Sequence, residues 1–284
     1  MFRTKRVWFF LAPGLALLLV FYVIPFFGGI RYSLQDGSFS NQFVGLENYL
    51  NLWNNELFQL ALKNTLQLSF LCAPLLWLMS FSLASVLADL YPRGNFARSA
   101  VMLPYLAPAS AMILIWQVFF DYGGTLNRFL ALLNADRILW LSTAMRFPVI
   151  VMFLWKNWGL CTIIFLAAIR SVPSSCYESA ALDGISPLRR SVSITLPLVS
   201  PCAYLVFIIS WINAFRIFRE TYFISGAYPQ DNSVYTLQHY MNNVYSSLNY
   251  QKVTAAAYSF AAIVLLLFAV LFFLQQRSAN EING

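Results

Sequence analysis

The sequence predicts an all-α, polytopic membrane protein with six transmembrane helices in a single domain of residues 1–284. Its composition is 60% hydrophobic and only 10% charged, with a mean hydropathy of +0.64, which is not the profile of a soluble domain. Six runs lack charged residues, except for Lys156 in the fourth, and each exceeds the roughly 18 residues that a membrane-crossing helix needs. The predicted spans are residues 7–29, 64–88, 99–120, 147–169, 197–215 and 253–276.

The first span follows the basic residues Arg3, Lys5 and Arg6, so a cleaved signal peptide is the alternative to a membrane helix. The uncharged run is longer than the apolar core of a signal peptide, which has about 7–15 residues, and it contains Pro13 and Pro25. No small-x-small cleavage site follows it. We therefore expect a retained first span.

The placement of lysine and arginine predicts that both termini face the cytoplasm. With the N-terminus inside, the inside segments are 1–6, 89–98, 170–190 and 277–284. Their density of basic residues is more than twice that of the outside segments. The formal net charge of +7 reflects this bias and does not indicate nucleic-acid binding.

Two outside connections predict further helices at the membrane surface. Residues 43–64 carry Leu, Trp and Phe at helical spacing, and residues 125–141 show a similar pattern. These segments either lie on the bilayer surface or form a platform for an external partner, and the sequence leaves both alternatives open.

The cysteines and the single histidine predict neither disulfides nor a metal site. Cys72, Cys161, Cys176 and Cys202 lie in spans or in the inside loop, and none lies in an external loop. His239 is predicted in an external loop, and no spacing suits a metal.

The inside loop 170–197 predicts two short helices joined by a sharp turn. Pro173 fits the first turn of a helix, although Ser175 and Glu178 could instead form a capping box. Gly184 supplies a left-handed residue that ends this helix, and Ser186-Pro187 starts the next.

The same loop carries the pattern E-A-A, three residues, G, nine residues, I-x-L-P, with Ser179 in place of one alanine. This pattern resembles the EAA loop of permease subunits of binding-protein-dependent ABC importers, and Asp183 fits the sugar-permease form. Stretches such as "LPYLAPASAMILIW" and "FLWKNWG" extend the resemblance to maltose/glycerol-phosphate-type permeases over nearly the whole chain. The matching positions are Glu178, Ser179, Ala180, Asp183, Gly184, Ile194, Leu196 and Pro197.

The resemblance implies that the loop forms coupling helices seated on a cytoplasmic ATPase. It also implies a heterodimer with a second, homologous permease, two ABC ATPase subunits, an external solute-binding protein, and a place in the cytoplasmic membrane of a prokaryote. The chain has no G-x-x-x-x-G-K-[ST] phosphate loop, so we expect no enzymatic activity and no cofactor of its own. ATP and Mg²⁺ would be bound by the partner ATPase.

Polar and aromatic residues in the spans are candidates for the solute path, because polar groups at membrane depth are costly unless they face a cavity or another helix. Trp and Tyr can stack on sugar rings, while Asn, Gln and Lys bind hydroxyls, so the set suits a carbohydrate. The alternatives are helix–helix contacts, an interfacial aromatic belt and, for Lys156, pairing with the partner subunit. The candidates are Gln117, Lys156, Asn157, Trp158, Trp211, Asn213, Tyr258 and Ser259.

At the outer end of span five, the spacing of Arg216 and Glu220 predicts a surface ion pair, and a contact with the solute-binding protein is the alternative.

An ion-coupled secondary transporter is the alternative function. It is disfavoured because such transporters commonly use intramembrane carboxylates or broken helices, and no Asp or Glu lies in the six runs. An intramembrane enzyme is disfavoured because no suitable Asp pair, Ser–His arrangement or metal ligands are available.

Overall fold

A computed structural model describes residues 2–37, 42–90 and 95–283. Apart from one isolated bridge between Gln35 and Phe43, the regular structure of these residues is helical, which confirms the all-α prediction. Arg93, one of the basic residues of the second inside segment, lies outside the described residues. The helices are α1 Phe2–Leu18, α2 Ile24–Ser33, α3 Glu47–Trp53, α4 Glu56–Asp89, α5 Asn95–Leu106, α6 Ala109–Phe120, α7 Thr125–Leu132, α8 Arg146–Ser171, α9 Ser174–Leu182, α10 Pro187–Arg190, α11 Leu196–Leu198, α12 Ser200–Ala214, α13 Phe218–Ser225, α14 Leu237–Ser246 and α15 Tyr250–Asn283.

Short irregular helices complete these elements. One π-helical turn, Leu19–Val23, joins α1 to α2, and another, Ser191–Thr195, joins α10 to α11. A single 3₁₀ turn, Asn232–Val234, precedes α14.

Five segments of the described residues are long and apolar enough to cross a membrane, and a bent pair of helices makes up to six. The predicted second and fourth spans each fall within one of these segments. The first and sixth overlap a segment except for residue 7 and residues 274–276. The segments are Trp8–Ser33, Glu56–Asp89, Arg146–Ser171, Ser200–Ser225 and Tyr250–Phe273.

The predicted third span, 99–120, is not one continuous helix. It is broken between α5 and α6, whose segments meet at an angle of 97°. Pro108 has an extended backbone, with φ −57° and ψ 134°. A proline removes one helical N–H and also restricts the residue before it, so the chain leaves the helix at Ala107 and restarts at Ala109.

The predicted fifth span, 197–215, ends before the apolar segment of the structure does, which extends to Ser225. The chain makes a tight turn at Phe215–Ile217, and α13 then extends the apolar segment to Ser225. This extension brings Glu220 into a candidate membrane segment, so the expectation that no acidic residue lies in a span is wrong.

The chain divides into two compact units. One consists of residues 60–239, in which α5 and α12 both pack on α8. The other combines residues up to 59 with residues from 240 onward, and in it α15 packs against α2 and α3.

Helices do form in the two outside connections, as α3, the start of α4, and α7. Their role at a membrane surface stays a prediction.

Candidate functional site

The loop after α8 folds into a short helix with a defined end. Pro173 is the N-cap of α9 and not a residue of its first turn, and no side-chain hydrogen bond caps this end, so the Ser175–Glu178 capping box does not form. Gly184 has φ +67°, which confirms the predicted left-handed residue. The amides of Gly184 and Ile185 donate to the carbonyls of Ala181 (3.2 Å) and Ala180 (3.1 Å), which is the hydrogen-bond pattern of a Schellman motif.

The second helix starts as predicted, with Ser186 as N-cap and Pro187 in the first position. The Ser186 side chain makes no capping hydrogen bond. Of the remaining motif residues, Ile194 and Leu196 are partly exposed and Pro197 is exposed. The loop is therefore regular structure along most of its length.

The turn between α9 and α10 exposes both polar and apolar groups. Glu178, Ser179, Asp183 and Gly184 are exposed, whereas the Ala180 side chain is 2% exposed and packs inside the chain. Two leucines that the sequence pattern did not single out border the turn, Leu182 at 90% exposure and Leu188 at 77%. Both leucines are close in sequence to the turn formed by Gly184 and Ser186-Pro187. Only their position beside Gly184 could have indicated them in the sequence.

An ion pair ties this loop to the end of α4. Nη2 of Arg190 lies 2.7 Å from both carboxylate oxygens of Asp89. The Arg190 guanidinium also lies over the Tyr177 ring, 5.6 Å from its centroid, and Thr195 donates a hydrogen bond to the Tyr177 hydroxyl (3.4 Å). These contacts cross-link α4, α9 and the π-helical turn, so the loop is held from two sides.

A polar cavity of about 340 Å³ lies where α8 faces the break between α5 and α6 and the turn between α12 and α13. We call it the Lys156 cavity. Lys156 lies about 22 Å along the axis of α8 from the end of that helix at Ser171. The cavity is lined by Tyr105, Ala107, Ala109, Phe153, Lys156, Asn157, Asn213, Arg216, Arg219 and Glu220.

The Lys156 cavity brings together three of the predicted path residues, Lys156, Asn157 and Asn213. Gln117 lies elsewhere, in a separate recess with Asp121 and Arg128. Among the described residues, no group of three His, Cys, Asp or Glu side chains is arranged to hold a metal.

The predicted pair between Arg216 and Glu220 is wrong. Glu220 is 7% exposed, and its Oε1 lies 3.9 Å from Nζ of Lys156. The reason is the turn at Phe215–Ile217, where the amide of Glu220 bonds to the carbonyl three residues back, that of Ile217. The regular i,i+4 spacing is lost there, so Glu220 turns inward while Arg216 stays exposed. Lys156 thus finds its acidic partner within its own chain.

The other predicted path residues do not line the Lys156 cavity. Trp211 is 2% exposed and its ring contacts Phe70, with centroids 4.7 Å apart. Trp158 is half-buried, and its indole Nε1 has no hydrogen-bond partner among the described residues. Tyr258 and Ser259 belong to the other unit, where the Tyr258 hydroxyl donates to the carbonyl of Phe26 and the Ser259 side chain is buried. The aromatic part of the predicted sugar path is therefore not assembled around the Lys156 cavity.

His239 is buried, although the sequence placed it in an external loop. The amide of Thr236 donates to its Nδ1 (3.2 Å), so the neutral ring carries its proton on Nε2, 3.3 Å from the Thr221 hydroxyl. The ring packs on Phe218, with centroids 4.6 Å apart. Burial lowers the pKa of His239 to about 4.

We expect acid to destabilise the fold through His239. Its pKa of about 4 in the folded state lies below the unfolded value of about 6.5, so its contribution is complete above pH 6.5 and falls as the pH drops toward 4. At pH 5 the free energy of unfolding is expected to be lower by about 2 kcal/mol than at pH 7.5 because of this group. Thermal unfolding of the purified protein in detergent at pH 7.5 and 5.0 measures this difference in stability. His239→Gln should reduce the difference between the two pH values, and an undiminished difference would assign the acid sensitivity to other groups.

Comparison with known proteins places these features in a family. Residues 80–283 match the model of the binding-protein-dependent transport system inner membrane component. The chain is 30% identical to the trehalose/maltose transport system permease protein MalF of Thermococcus litoralis over 233 residues, which cover 80% of this chain and 79% of that protein. It is 29% identical to the lactose transport system permease protein LacF of Rhizobium radiobacter, covering 96% and 94% of the two chains.

Solved structures share the fold. A bacterial ABC transporter involved in the import of the acidic polysaccharide alginate contains a chain that matches with a TM-score of 0.86 at 24% identity, covering 97% of this chain and 96% of that one. The same kind of transporter, in complex with an alginate pentasaccharide-bound periplasmic protein, matches with a TM-score of 0.82 at 25% identity, covering 94% and 93%. On the family model and the relative that is 30% identical, this chain belongs to the family of binding-protein-dependent transport system inner membrane components.

Proposed function

We propose that this chain moves a carbohydrate or a related polar solute across the cytoplasmic membrane of a prokaryote, as the non-catalytic membrane-spanning subunit of an ATP-driven ABC importer. The observation that carries the proposal is the helix–turn–helix loop of α9, Gly184 and α10, in a chain of this permease family. The named relatives transport trehalose, maltose and lactose, which favours a carbohydrate as the solute.

In this proposal the loop is the coupling element. α9 and α10 seat on a separate ATPase subunit, with Leu182 and Leu188 as apolar contacts and Glu178 setting the register. The pair between Asp89 and Arg190 passes displacement of the loop to α4, while α8 continues directly into the loop. ATP binding closes the ATPases, moves the loop and exchanges inward-facing for outward-facing access.

The Lys156 cavity is the proposed solute contact of this subunit. It combines a broken helix, buried polar side chains and charged groups at membrane depth, which are the features of solute sites in transporters. A second, similar permease subunit completes the path. The remaining partners are two ATPase subunits, which bind ATP and Mg²⁺, and a periplasmic or extracellular solute-binding protein.

The alternative function, an ion-coupled secondary transporter, is not favoured. Members of the family to which this chain belongs work as membrane components of binding-protein-dependent systems, in which a separate subunit hydrolyses ATP. Glu220, which lies in a candidate span after all, has Lys156 as its partner, so its charge is balanced within the chain.

Two substitutions in the loop test the proposal. The complex is reconstituted in liposomes with its partner subunits, and ATP-dependent solute uptake is compared for the parent, Glu178→Ala and Gly184→Pro. Because proline fixes φ near −65° where Gly184 has +67°, Gly184→Pro should lower uptake at least about tenfold. We expect a smaller loss for Glu178→Ala, which removes one exposed contact.

A matched control separates coupling from backbone strain. Gly184 and Gly45 both have positive φ, +67° and +59°. A Cβ added at Gly184 meets nothing within 4 Å, and one added at Gly45 meets only the Phe43 ring, at 3.9 Å. Gly184→Ala should impair uptake, and Gly45→Ala, outside the loop, should not. Uptake that stays unchanged in Glu178→Ala and Gly184→Pro, or that proceeds without ATP, defeats the proposal.

A further inference from the structure

The charges of the Lys156 cavity specify the solute more narrowly than its family does. We infer that the cavity binds the anionic group of an acidic carbohydrate, a sugar that carries a carboxylate or phosphate. This inference rests on the proposed function, because it takes the cavity as part of the solute path. It assigns Arg216 and Arg219 to the anion, and Asn157 and Asn213 to the hydroxyls.

The cavity has an excess of positive charge. Lys156, Arg216 and Arg219 line it together with a single carboxylate, that of Glu220, which pairs with Lys156. Among the described residues, no carboxylate lies within 4.0 Å of either guanidinium. Guanidinium groups bind carboxylate and phosphate through paired, charge-assisted hydrogen bonds. An anionic ligand would therefore supply the charge that the cavity wall lacks.

The break between α5 and α6 adds to this positive potential. Ala109, the first residue of α6, lines the cavity. The first hydrogen bond of this twelve-residue helix runs from the amide of Met112 to the carbonyl of Pro108 (3.2 Å). The amides before Met112 therefore have no acceptor within the helix, and they carry the partial positive charge of the helix dipole.

Two amide side chains in the cavity wall suit a hydroxylated ligand. Asn157 and Asn213 line the cavity, and an amide can both donate to and accept from a sugar hydroxyl. The cavity volume of about 340 Å³ is within the usual range of small-molecule sites. Glu220 is not assigned to the ligand, because its Oε2 is buried and its Oε1 faces Lys156.

An anionic lipid headgroup shares this chemistry, so the test compares both sources. The complete transporter is placed in nanodiscs of phosphatidylcholine, and the binding of glucuronate and of glucose is measured by saturation-transfer NMR. These sugars differ only in the carboxylate at C6. We expect glucuronate to bind at least about tenfold more tightly than glucose, a preference that charge-assisted hydrogen bonds can supply.

The variants assign the preference to the two arginines. The double variant Arg216→Gln/Arg219→Gln should lose the preference for glucuronate and keep the binding of glucose, a change that a purely structural role would not produce. Arg137→Gln, at an exposed arginine that stacks on Tyr122 outside the cavity, is the matched control and should keep the preference.

Three results would overturn the inference. They are equal binding of the two sugars, a preference that survives in the double variant, and loss of glucuronate binding when phosphatidylglycerol is added, which would identify a lipid as the occupant. In all three cases, ATP-dependent uptake and its loss in Gly184→Pro would be unaffected. Failure of the inference is therefore distinguishable from failure of the proposed function.

Discussion

Replacing Glu220 with alanine is expected to destabilise the protein by about 4 kcal/mol, the effect of breaking a buried ion pair from one side. The Glu220 side chain is 9% exposed and that of Lys156 is 15% exposed, so water reaches neither group freely. Without Glu220, the ammonium of Lys156 lacks the only carboxylate within 4.0 Å among the described residues. Its desolvation is then no longer offset by attraction to an opposite charge.

Thermal and denaturant unfolding in detergent measure this effect, which does not depend on knowing the solute. The double variant Lys156→Met/Glu220→Leu removes both charges and should recover most of the lost stability, because a well-packed apolar pair can replace a buried ion pair. Asp136→Asn, at an exposed acidic residue, should change stability by less than about 0.5 kcal/mol. If the double variant lost as much stability as the two single variants added together, the ion pair would not be the cause of the destabilisation in Glu220→Ala.

The sequence predicts the number and approximate position of the spans because length and lack of charge are local properties. Breaks within the spans are harder to predict, as Pro104 and Pro108 show. Pro104 stays inside α5, whereas Pro108 ends the helix, although both belong to the same apolar run. Which proline breaks the helix depends on packing around it, and single-residue propensity does not contain that information.

The loop between α8 and α11 can be predicted from the sequence, whereas the Lys156 cavity cannot. Gly184 and Ser186-Pro187 determine their turn through backbone geometry, so the sequence predicts it correctly. The Lys156 cavity is built from residues far apart in the chain. The pairing of Lys156 with Glu220 follows from the tight turn at Phe215–Ile217, which no motif signals.

α8 connects the two parts of the candidate site. It carries Lys156 and Asn157 in its middle and ends at Ser171, three residues before α9 begins. Between these points, Gly159 is the place where α5 packs against α8. A Cβ added there would collide with the carbonyl oxygen of Val101 and lie 3.1 Å from its carbonyl carbon. Only glycine allows the two backbones to approach this closely.

Gly159→Ala is therefore expected to destabilise the protein by about 3 kcal/mol, at the upper end of overpacking effects because the collision is with backbone, which cannot change rotamer. Gly159→Val should cost more. Gly28→Ala is the control, since Gly28 also lies in a helix but a Cβ there meets nothing within 4 Å, and it should be neutral or stabilising. Unfolding in detergent gives both values.

Because α5 leads directly to the break that lines the Lys156 cavity, displacement of α5 should also weaken solute binding in Gly159→Ala. A Gly159→Ala variant with parental stability and binding would show that α5 can move away from α8 without disturbing the cavity, and that the close approach at Val101 is dispensable.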